Sequence, residues 1–188
     1  MIITLNNQVH LELIAAKHAQ GIFDIAAKNR QYLGTWLTWV ARMQDVSFIG
    51  KFVNGVLERH AEGLEWSFVI IKNDVIIGRI TVHKIDGYNR IGEIGYWIAE
   101  NEQGQGIVSQ SCTQLIKFCF EKLNLNRLEI KCGTGNKESQ RIPERLGFTH
   151  EGVMQQAELL NGQFIDLNLY ALLEKTWRHP SVFKHFRT

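Results

Sequence analysis

The feature that most constrains the fold of this chain is a junction between a strand-like and a helix-like run in IGYWIAENEQGQGIVSQSCTQLIKFCF, residues 94 to 120. Two glycines, Gly104 and Gly106, occupy the junction, and no carboxylate lies between Glu102 and Glu121. The first turn of a helix usually carries Asp or Glu, because its N–H groups are unpaired and partly positive. Glycines without that charge let an anion approach the free amides closely. The segment therefore predicts a strand, a tight turn and a helix, with a phosphate or pyrophosphate site at the turn.

Two common phosphate-binding motifs do not fit this junction. A P-loop requires Gly-Lys followed by Ser or Thr, and that sequence is absent. A dinucleotide-binding fingerprint has a third glycine where Ser109 stands, and it belongs to a leading βαβ unit, whereas this segment follows three predicted helices and a hairpin. The alternatives that remain are a different phosphate-binding family and a plain flexible connection with no ligand.

The remaining sequence predicts one sheet with helices around it. Apolar runs predict strands over residues 9–13, 66–72, 75–83, 91–99, 127–132, 148–160 and 164–173. Helical spacing predicts helices over residues 16–29, 30–41, 45–62, 107–122 and 139–146, with Asp45 as an N-cap. Asn73-Asp74 and Asn161-Gly162 predict two tight hairpin turns. The fold class is therefore α/β or α+β, built on a mixed, mostly antiparallel sheet.

Length and composition predict one globular domain over residues 1–188, with its core at about residues 9–174 and a basic end at 175–188. No apolar run approaches the ~20 residues that span a bilayer, and the first residues do not resemble a signal peptide. The three cysteines form no CxxC pair, which is typical of free thiols in a reducing cytoplasm. We therefore expect a cytoplasmic protein without membrane contact.

Charge and histidine spacing argue against nucleic acid and metal as partners. The formal net charge of +2 is too small to indicate nucleic-acid binding. The basic end carries Trp177, Phe183 and Phe186, so contact with RNA or an acidic partner is an alternative to a merely solvated terminus. The seven histidines form neither HExxH nor a Cys/His pair at zinc spacing, and we expect no metal.

The glycine junction resembles the acetyl-CoA signature of the GCN5-related N-acetyltransferases, the GNAT family, which runs Gln/Arg-x-x-Gly-x-Gly/Ala. Here the signature reads Gln103-Gly104-Gln105-Gly106-Ile107-Val108, and Val108 stands where the family has a small residue. The predicted element order is also that of this family, over residues 9 to 174. The resemblance implies the GNAT fold, with the central sheet splayed at an acetyl-CoA site.

Further runs resemble the RimJ/RimL group of this family. They are Ile94-Gly95-Tyr96-Trp97-Ile98, Asn136-Lys137-Glu138-Ser139, Pro143-Glu144-Arg145-Leu146-Gly147-Phe148 and Glu151-Gly152. The segment GVMQQAELLNG, residues 152 to 162, resembles members that acetylate a terminal serine. The resemblance implies acetylation of the N-terminal α-amine of a ribosomal protein, by an enzyme that is expected to form a homodimer.

The resemblance also assigns roles to individual residues on the acetyl-CoA side. The strand near Trp97 and Ile98 is expected to hold the pantetheine and to polarise the acetyl carbonyl, and Asn136 is expected to contact the pantetheine arm. The pyrophosphate is expected to lie on the amides of Gln103, Gly104, Gln105, Gly106, Ile107 and Val108.

Two catalytic groups are expected from the same resemblance. Ser139 stands where the family places a hydroxyl near the sulfur, although it also suits an N-cap of the helix that follows. Glu158 stands at the position of the general base, and its apolar neighbours would raise its pKa toward a useful value. It is equally compatible with an exposed strand residue. Glu93 is a second candidate base, because alternation places it on the same strand face as Trp97.

Three functions remain open from the sequence. The first is direct attack of a protein α-amine on acetyl-CoA in a ternary complex, since no Cys or Ser is placed as a covalent relay. The second is the same chemistry on a small amine, such as an antibiotic, a polyamine or a nucleotide-linked amine. The third is a non-catalytic acyl-CoA-binding or ribosome-associated module.

Overall fold

A computed structural model describes residues 1–178, so the expectations for the basic end from residue 179 onward lie outside the described residues. The strands are β1 (Ile2–Thr4), β2 (Val9–Leu13), β3 (Trp66–Lys72), β4 (Val75–Asp86), β5 (Ile91–Ile98), β6 (Arg127–Gly133), β7 (Thr149–Leu160) and β8 (Gln163–Leu173). The α-helices are α1 (Ala19–Lys28), α2 (Arg30–Gly34), α3 (Val46–Ala61), α4 (Ile107–Glu121), α5 (Lys137–Arg145) and α6 (Glu174–Arg178). Within this part of the chain, no helix is both long and apolar enough to cross a membrane.

The strands form one eight-stranded sheet in the order β1-β2-β3-β4-β5-β6-β8-β7. Six neighbouring pairs are antiparallel, and β5 with β6 is the parallel pair among the described strands. A parallel pair needs a crossover connection, and α4 supplies it. The predicted mixed, mostly antiparallel α/β architecture is therefore confirmed.

The parallel pair separates soon after it begins. The register of β5 with β6 runs only from Ile91 opposite Arg127 to Glu93 opposite Glu129. Beyond that point β5 stays paired with β4 as far as Ile98, and β6 stays paired with β8 as far as Gly133. The sheet is thus splayed between its two halves, and the second half of β5 has no strand partner on its β6 side.

The sheet separates two apolar layers. On β3, Phe68 and Ile70 are buried with the apolar side chains of α4, whereas Val69 and Ile71 are buried with those of α1 and α3. A strand that is buried on both faces has a nearly continuous apolar sequence, and residues 68–71 of β3 are all apolar. The strand β5 contributes to both layers, because Ile98 is buried in the layer with α4 and Trp97 in the layer with α1 and α3.

The helix cap and the two hairpin turns that the sequence predicted are present in the structure. Asp45 precedes α3 and accepts hydrogen bonds from the amides of Ser47 and Phe48. The β3–β4 turn has φ of 47° at Asn73 and 64° at Asp74, and the β7–β8 turn has φ of 50° and 84° at Asn161-Gly162. These positive values are the ones that two-residue hairpin turns require.

One predicted helix is wrong. The segment 30–41 forms α2 and then a separate 3-10 turn at Val40–Arg42. The guanidinium of Arg30 donates hydrogen bonds to the carbonyls of Val40 and Met43, at 3.0 and 2.6 Å. These bonds fold the segment back against the start of its own helix, so the helix cannot continue through residue 41.

Smaller differences occur at the edges of other elements. β1 was missed because three residues on a sheet edge carry no alternation long enough to detect. β4 continues beyond residue 83 to Asp86 through a register shift against β5. The helix expected from residue 139 begins two residues earlier, because the carboxamide of Asn136 caps it by accepting the amide of Ser139 at 3.1 Å. Ser139 is therefore not the N-cap.

The close approach of β4 to β5 gives a stability prediction. A Cβ added to Gly78 would overlap the carbonyl oxygen of Trp97 and lie 3.0 Å from the Cα of Ile98. Gly78→Ala should therefore force the two strands apart and lower the free energy of unfolding by about 2 kcal/mol or more. Gly87→Ala is the matched control, since nothing lies within 4 Å of its added Cβ. Urea denaturation measures both, and equal losses in the two variants would contradict the strand geometry.

Candidate active site

A cavity of about 1160 Å³ occupies the space between the divergent strands. Its wall includes residues of β5, β6, the start of α4, α5, and the β7–β8 hairpin. Of the residues singled out from the sequence, the wall contains Glu93, Trp97, Ile98, Gln103, Gly104, Gly106, Ile107, Val108, Asn136, Ser139 and Glu158. The structure therefore brings almost the whole predicted set to one cavity.

The glycine junction forms one end of this cavity. Gly104 and Gly106 both have φ of 73°, a left-handed conformation that favours glycine, and Gly106 is the N-cap of α4 without a side-chain cap. The first turn of α4 contains no acidic residue. The free amides of this turn therefore carry no carboxylate of their own helix, and the nearby Glu102 is paired with Lys72, which is the local chemistry of an anion site.

Gln105 is the exception within the junction, because it is not part of the cavity wall. Its side-chain oxygen accepts a hydrogen bond from Lys72 at 2.9 Å, and its side-chain nitrogen donates to Glu102 at 3.1 Å. Lys72 also bonds Glu102 directly at 2.7 Å. The Gln105 side chain thus ties the turn to the end of β3, and only its backbone remains available to a ligand.

A cluster of protonated groups lies beside Ser139. The Ser139 hydroxyl donates to the hydroxyl of Tyr96 at 3.3 Å and lies 3.2 Å from the sulfur of Cys132. The Tyr96 hydroxyl donates in turn to the Ser139 carbonyl at 2.9 Å. Burial raises the pKa of the Tyr96 hydroxyl well above its ordinary value and also raises the pKa of the Cys132 thiol. All three groups therefore carry their protons at neutral pH.

The two candidate carboxylates lie in opposite electrostatic environments. Burial raises the pKa of Glu158, with Lys84 acting against that shift and Glu93 adding to it. Burial acts to raise the pKa of Glu93 as well, but Lys131 bonded at 2.8 Å, together with His83 and Lys84, lowers it overall. Glu158 is thus the stronger base of the two, whereas Glu93 is held as an ion-paired carboxylate.

Another part of the cavity wall is an ion cluster around the buried carboxylate of Glu65. Glu65 is only 3% exposed and accepts hydrogen bonds from Arg59 at 2.8 Å, Arg79 at 2.6 Å and Thr81 at 3.1 Å. Burial lowers the pKa of Arg79 to about 10, although Glu65 acts against this shift. Because Glu65 bonds both arginines and Thr81 at once, this part of the cavity wall is polar and its side chains are held in place.

Aromatic side chains cover the cavity on the α2 side. Tyr32, Trp36, Trp39 and Phe52 all belong to the wall. A Cβ on Gly133 would come within 3.2 Å of the Trp36 ring, so the ring rests directly on the backbone at the end of β6. At the hairpin tip, the Asn161 side chain donates to the Gly34 carbonyl at 3.0 Å. These contacts join the α2 segment to both β6 and the β7–β8 hairpin across the cavity.

Sequence reasoning missed several members of this site. Tyr96 lay within a quoted motif, but nothing in the sequence indicated that its hydroxyl meets Ser139. The Cys132 thiol reaches Ser139 only because α5 packs beside β6, and Glu65 meets Arg59 and Arg79 only because α3 and β4 lie next to each other in the fold. Within residues 1–178, no group of three or more His, Cys, Asp or Glu side chains is arranged to hold a metal ion.

Known proteins resemble this chain in sequence. The family model of the acetyltransferase (GNAT) domain matches residues 8–149. A ribosomal-protein-serine acetyltransferase of Escherichia coli (strain K12) is 36% identical over 169 residues, which is 90% of this chain and 94% of the relative. A putative ribosomal N-acetyltransferase, YdaF of Bacillus subtilis (strain 168), is 32% identical over 176 residues, covering 92% of this chain and 95% of the relative.

Solved structures resemble it over nearly the same extent. RimL, a ribosomal L7/L12 alpha-N-protein acetyltransferase in complex with coenzyme A, has a TM-score of 0.88 at 31% identity, covering 92% of this chain and 98% of that chain. The microcin C7 self-immunity acetyltransferase MccE, in complex with acetyl-CoA and AMP, has a TM-score of 0.85 at 30% identity, covering 90% and 94%.

These likenesses agree with the features that the structure shows independently. The two glycines and the uncharged start of α4 are the features from which the sequence indicated a phosphate-containing donor, and the divergent strands are the splayed sheet that the family resemblance implied. The family match covers all three. The chain belongs to the GNAT acetyltransferase family, and it is an N-acetyltransferase.

Proposed function

We propose that this enzyme transfers an acetyl group from acetyl-CoA to the N-terminal α-amine of a ribosomal protein, with serine as the first residue. The observation that carries the proposal is the single cavity that runs from the glycine junction to Glu158, with Ser139 on its wall. An anion site, a proton donor and a raised-pKa carboxylate thus share one space. The names of the two sequence relatives support a ribosomal acceptor.

The donor fits the junction and the strand edge. The amides from Gln103 to Val108 would hold the pyrophosphate, because the two left-handed glycines carry no Cβ that would keep an anion away. The unpaired side of β5 near Trp97 and Ile98 would hold the pantetheine by backbone hydrogen bonds, as an added strand does. Asn136 lines the cavity at the adjoining end of α5 and would contact the same arm.

The catalytic step follows from the protonation states of the wall. Acetyl-CoA supplies a thioester, whose carbonyl carbon is attacked by the neutral amine while the C–S bond breaks. An α-amine has a pKa of about 8, so Glu158 needs only modest basicity to accept its proton. A β5 amide near Trp97 and Ile98 would stabilise the oxyanion. Ser139 would donate a proton to the departing sulfur and take one back from solvent in the cavity, while Glu158 would release the amine proton to solvent.

Direct attack is favoured over a covalent relay. Cys132 is the nucleophile nearest to Ser139, but burial raises its thiol pKa, and a protonated buried thiol is unreactive. The amine would therefore meet the donor in a ternary complex. The non-catalytic alternative is set aside by family membership.

A small amine is the second candidate acceptor. MccE, one of the similar solved structures, is described in complex with acetyl-CoA and AMP, which favours a nucleotide-linked amine within this fold. In the present chain, the contact of Asn161 with Gly34 joins the tip of the β7–β8 hairpin to the α2 segment, and residues near both contribute to the cavity wall. The cavity is thus compatible with two kinds of acceptor, a short N-terminal segment of a protein and a compact amine.

Two further expectations belong to the same proposal. A homodimer is supported by apolar side chains that stand exposed on the β7–β8 hairpin, Val153, Leu159 and Phe164. A cytoplasmic location is supported by three buried free thiols and by a ribosomal acceptor.

The acceptor is tested by intact-protein mass spectrometry of host ribosomal proteins after incubation with the enzyme and acetyl-CoA. We expect one ribosomal protein to gain a single acetyl group on its N-terminal residue, and no gain without enzyme. An absence of any mass shift, together with release of coenzyme A when small amines are supplied, would transfer the assignment to the small-molecule acceptor.

The base is tested by Glu158→Gln. Removing the proton acceptor should lower kcat by about 100-fold while leaving donor affinity unchanged.

The same variant makes a separate prediction for stability. The folded-state pKa of Glu158 lies above its ordinary value of 4.5, so the wild-type fold loses stability as pH rises from 4.5 through that pKa. Glu158→Gln should therefore be more stable than wild type at pH 7 and equally stable below pH 4.5.

Two control variants accompany this measurement. Glu93→Gln should instead lose stability at pH 7, because the lowered pKa of Glu93 means that its ionised form stabilises the fold above its ordinary value of 4.5. Glu121→Gln changes an exposed residue at the far end of α4 and should change neither quantity. Unchanged kcat in Glu158→Gln, measured by thiol release, would remove Glu158 from the mechanism.

A further inference from the structure

A large bulge interrupts β7 just before Glu158. Met154 pairs with Leu167, and the next pair is Glu158 with Ile165. Four residues of β7 therefore span the distance that two residues of β8 span. At the centre of the bulge, Gln156 has φ of 46°, a left-handed conformation that a residue with a Cβ rarely adopts.

The bulge decides which side chain stands opposite Ile165. In a regular ladder, two steps from Met154 would place Gln156 there. The two inserted residues place Glu158 there instead, and because the insertion is even, the strand keeps the same face toward the cavity. Met154, Glu158, Ile165 and Leu167 all belong to the cavity wall. The side chain that reaches the cavity at this position is thus the carboxylate of Glu158 rather than the carboxamide of Gln156.

Both ends of the bulge are fixed by ordinary pairing. The Asn161-Gly162 turn sets Leu160 opposite Gln163 on one side, and Met154 opposite Leu167 holds the other. The bulge itself is held at its strained residue, since the amide of Gln156 donates a 2.8 Å hydrogen bond to the carboxylate of Asp166. Asp166 is itself anchored, because its carbonyl accepts the amide of Thr134 at 3.0 Å.

We propose that Asp166 is a positioning residue for Glu158. Its carboxylate holds Gln156 in the left-handed conformation, and that conformation fixes where Glu158 enters the cavity. Asp166 does not belong to the cavity wall, so it acts through the bulge rather than on the substrates. The inference rests on the proposed role of Glu158 as the base.

The test compares three changes measured for kcat, donor affinity and pH dependence. Asp166→Ala should lower kcat about tenfold with coenzyme A affinity unchanged, because misplacing a catalytic group slows the reaction without weakening donor binding. Asp166→Asn keeps an oxygen acceptor and should stay within about twofold of wild type. Asp166→Ala combined with Gln156→Gly should recover most of the loss, because glycine adopts the left-handed conformation without a partner.

The pH profile separates positioning from a general loss of stability. Glu158 faces Lys84 on β4 and Glu93 on β5, and both remain in every variant. In Asp166→Ala, a less buried Glu158 should ionise at lower pH, so the acid limb of kcat/KM should move to lower pH. The glycine double variant should return that limb to its wild-type position.

Each outcome decides the inference. Wild-type kcat in Asp166→Ala, or a loss that Gln156→Gly leaves unchanged, would overturn it. If Asp166→Ala does not fold, Asp166→Ser is compared with and without Gln156→Gly under the same criteria. Failure of the proposed function is recognised separately: Glu158→Gln would then retain full kcat, whereas failure of the positioning inference alone would leave Glu158→Gln impaired and Asp166→Ala normal.

Discussion

The site depends on the loss of hydrogen bonding between β5 and β6 after Glu93 and Glu129. Unpaired backbone groups inside a sheet are costly unless something replaces the missing strand. The parallel direction of this pair also requires a crossover, and the crossover begins where β5 ends. The free edge of β5 and the free amides at the start of α4 are therefore neighbours by topology. A ligand with an extended arm and a phosphate end satisfies both at once.

The charges around the cavity follow a second constraint, because the groups that keep their protons and the carboxylate with a raised pKa lie on different elements. Ser139 and Tyr96 form a hydrogen-bonded group with the buried Cys132 thiol that keeps its protons, and Glu158 lies on the separate β7–β8 hairpin. Glu93 lies close enough to raise the pKa of Glu158, yet its own charge is held by Lys131. Burial is the larger cause of the raised pKa of Glu158, and the negative charge of Glu93 adds to it.

The sequence was sufficient where a local pattern decides a local structure. Asp45 capped α3, Asn161-Gly162 closed a hairpin, and Gly104 and Gly106 took the left-handed conformation that an anion site needs. Each of these depends on the chemistry of a few neighbouring residues. The order of elements along the chain followed from the same patterns, and it agreed with the family resemblance.

The sequence was insufficient where distant residues decide a local structure. Arg30 ends α2 through carbonyls that lie 10 and 13 residues away, and helical spacing cannot report that. Asn136 rather than Ser139 caps α5, a choice between two competent residues. The bulge that brings Glu158 to the cavity depends on a hydrogen bond from Gln156 to Asp166 on the neighbouring strand. Pairing of β7 with β8 must exist before that bond can form.

The central claim is that the left-handed, uncharged glycine turn binds the donor, and calorimetric titration of coenzyme A tests it most directly. Gly104→Ala, Gly106→Ala and Gly63→Ala introduce the same conformational strain, since their φ values are 73°, 73° and 75°, and none meets a close neighbour. Each should lose about 1 kcal/mol of stability. The account predicts a Kd raised about tenfold or more in the two junction variants and unchanged in Gly63→Ala. An unchanged Kd in Gly104→Ala and Gly106→Ala would contradict it.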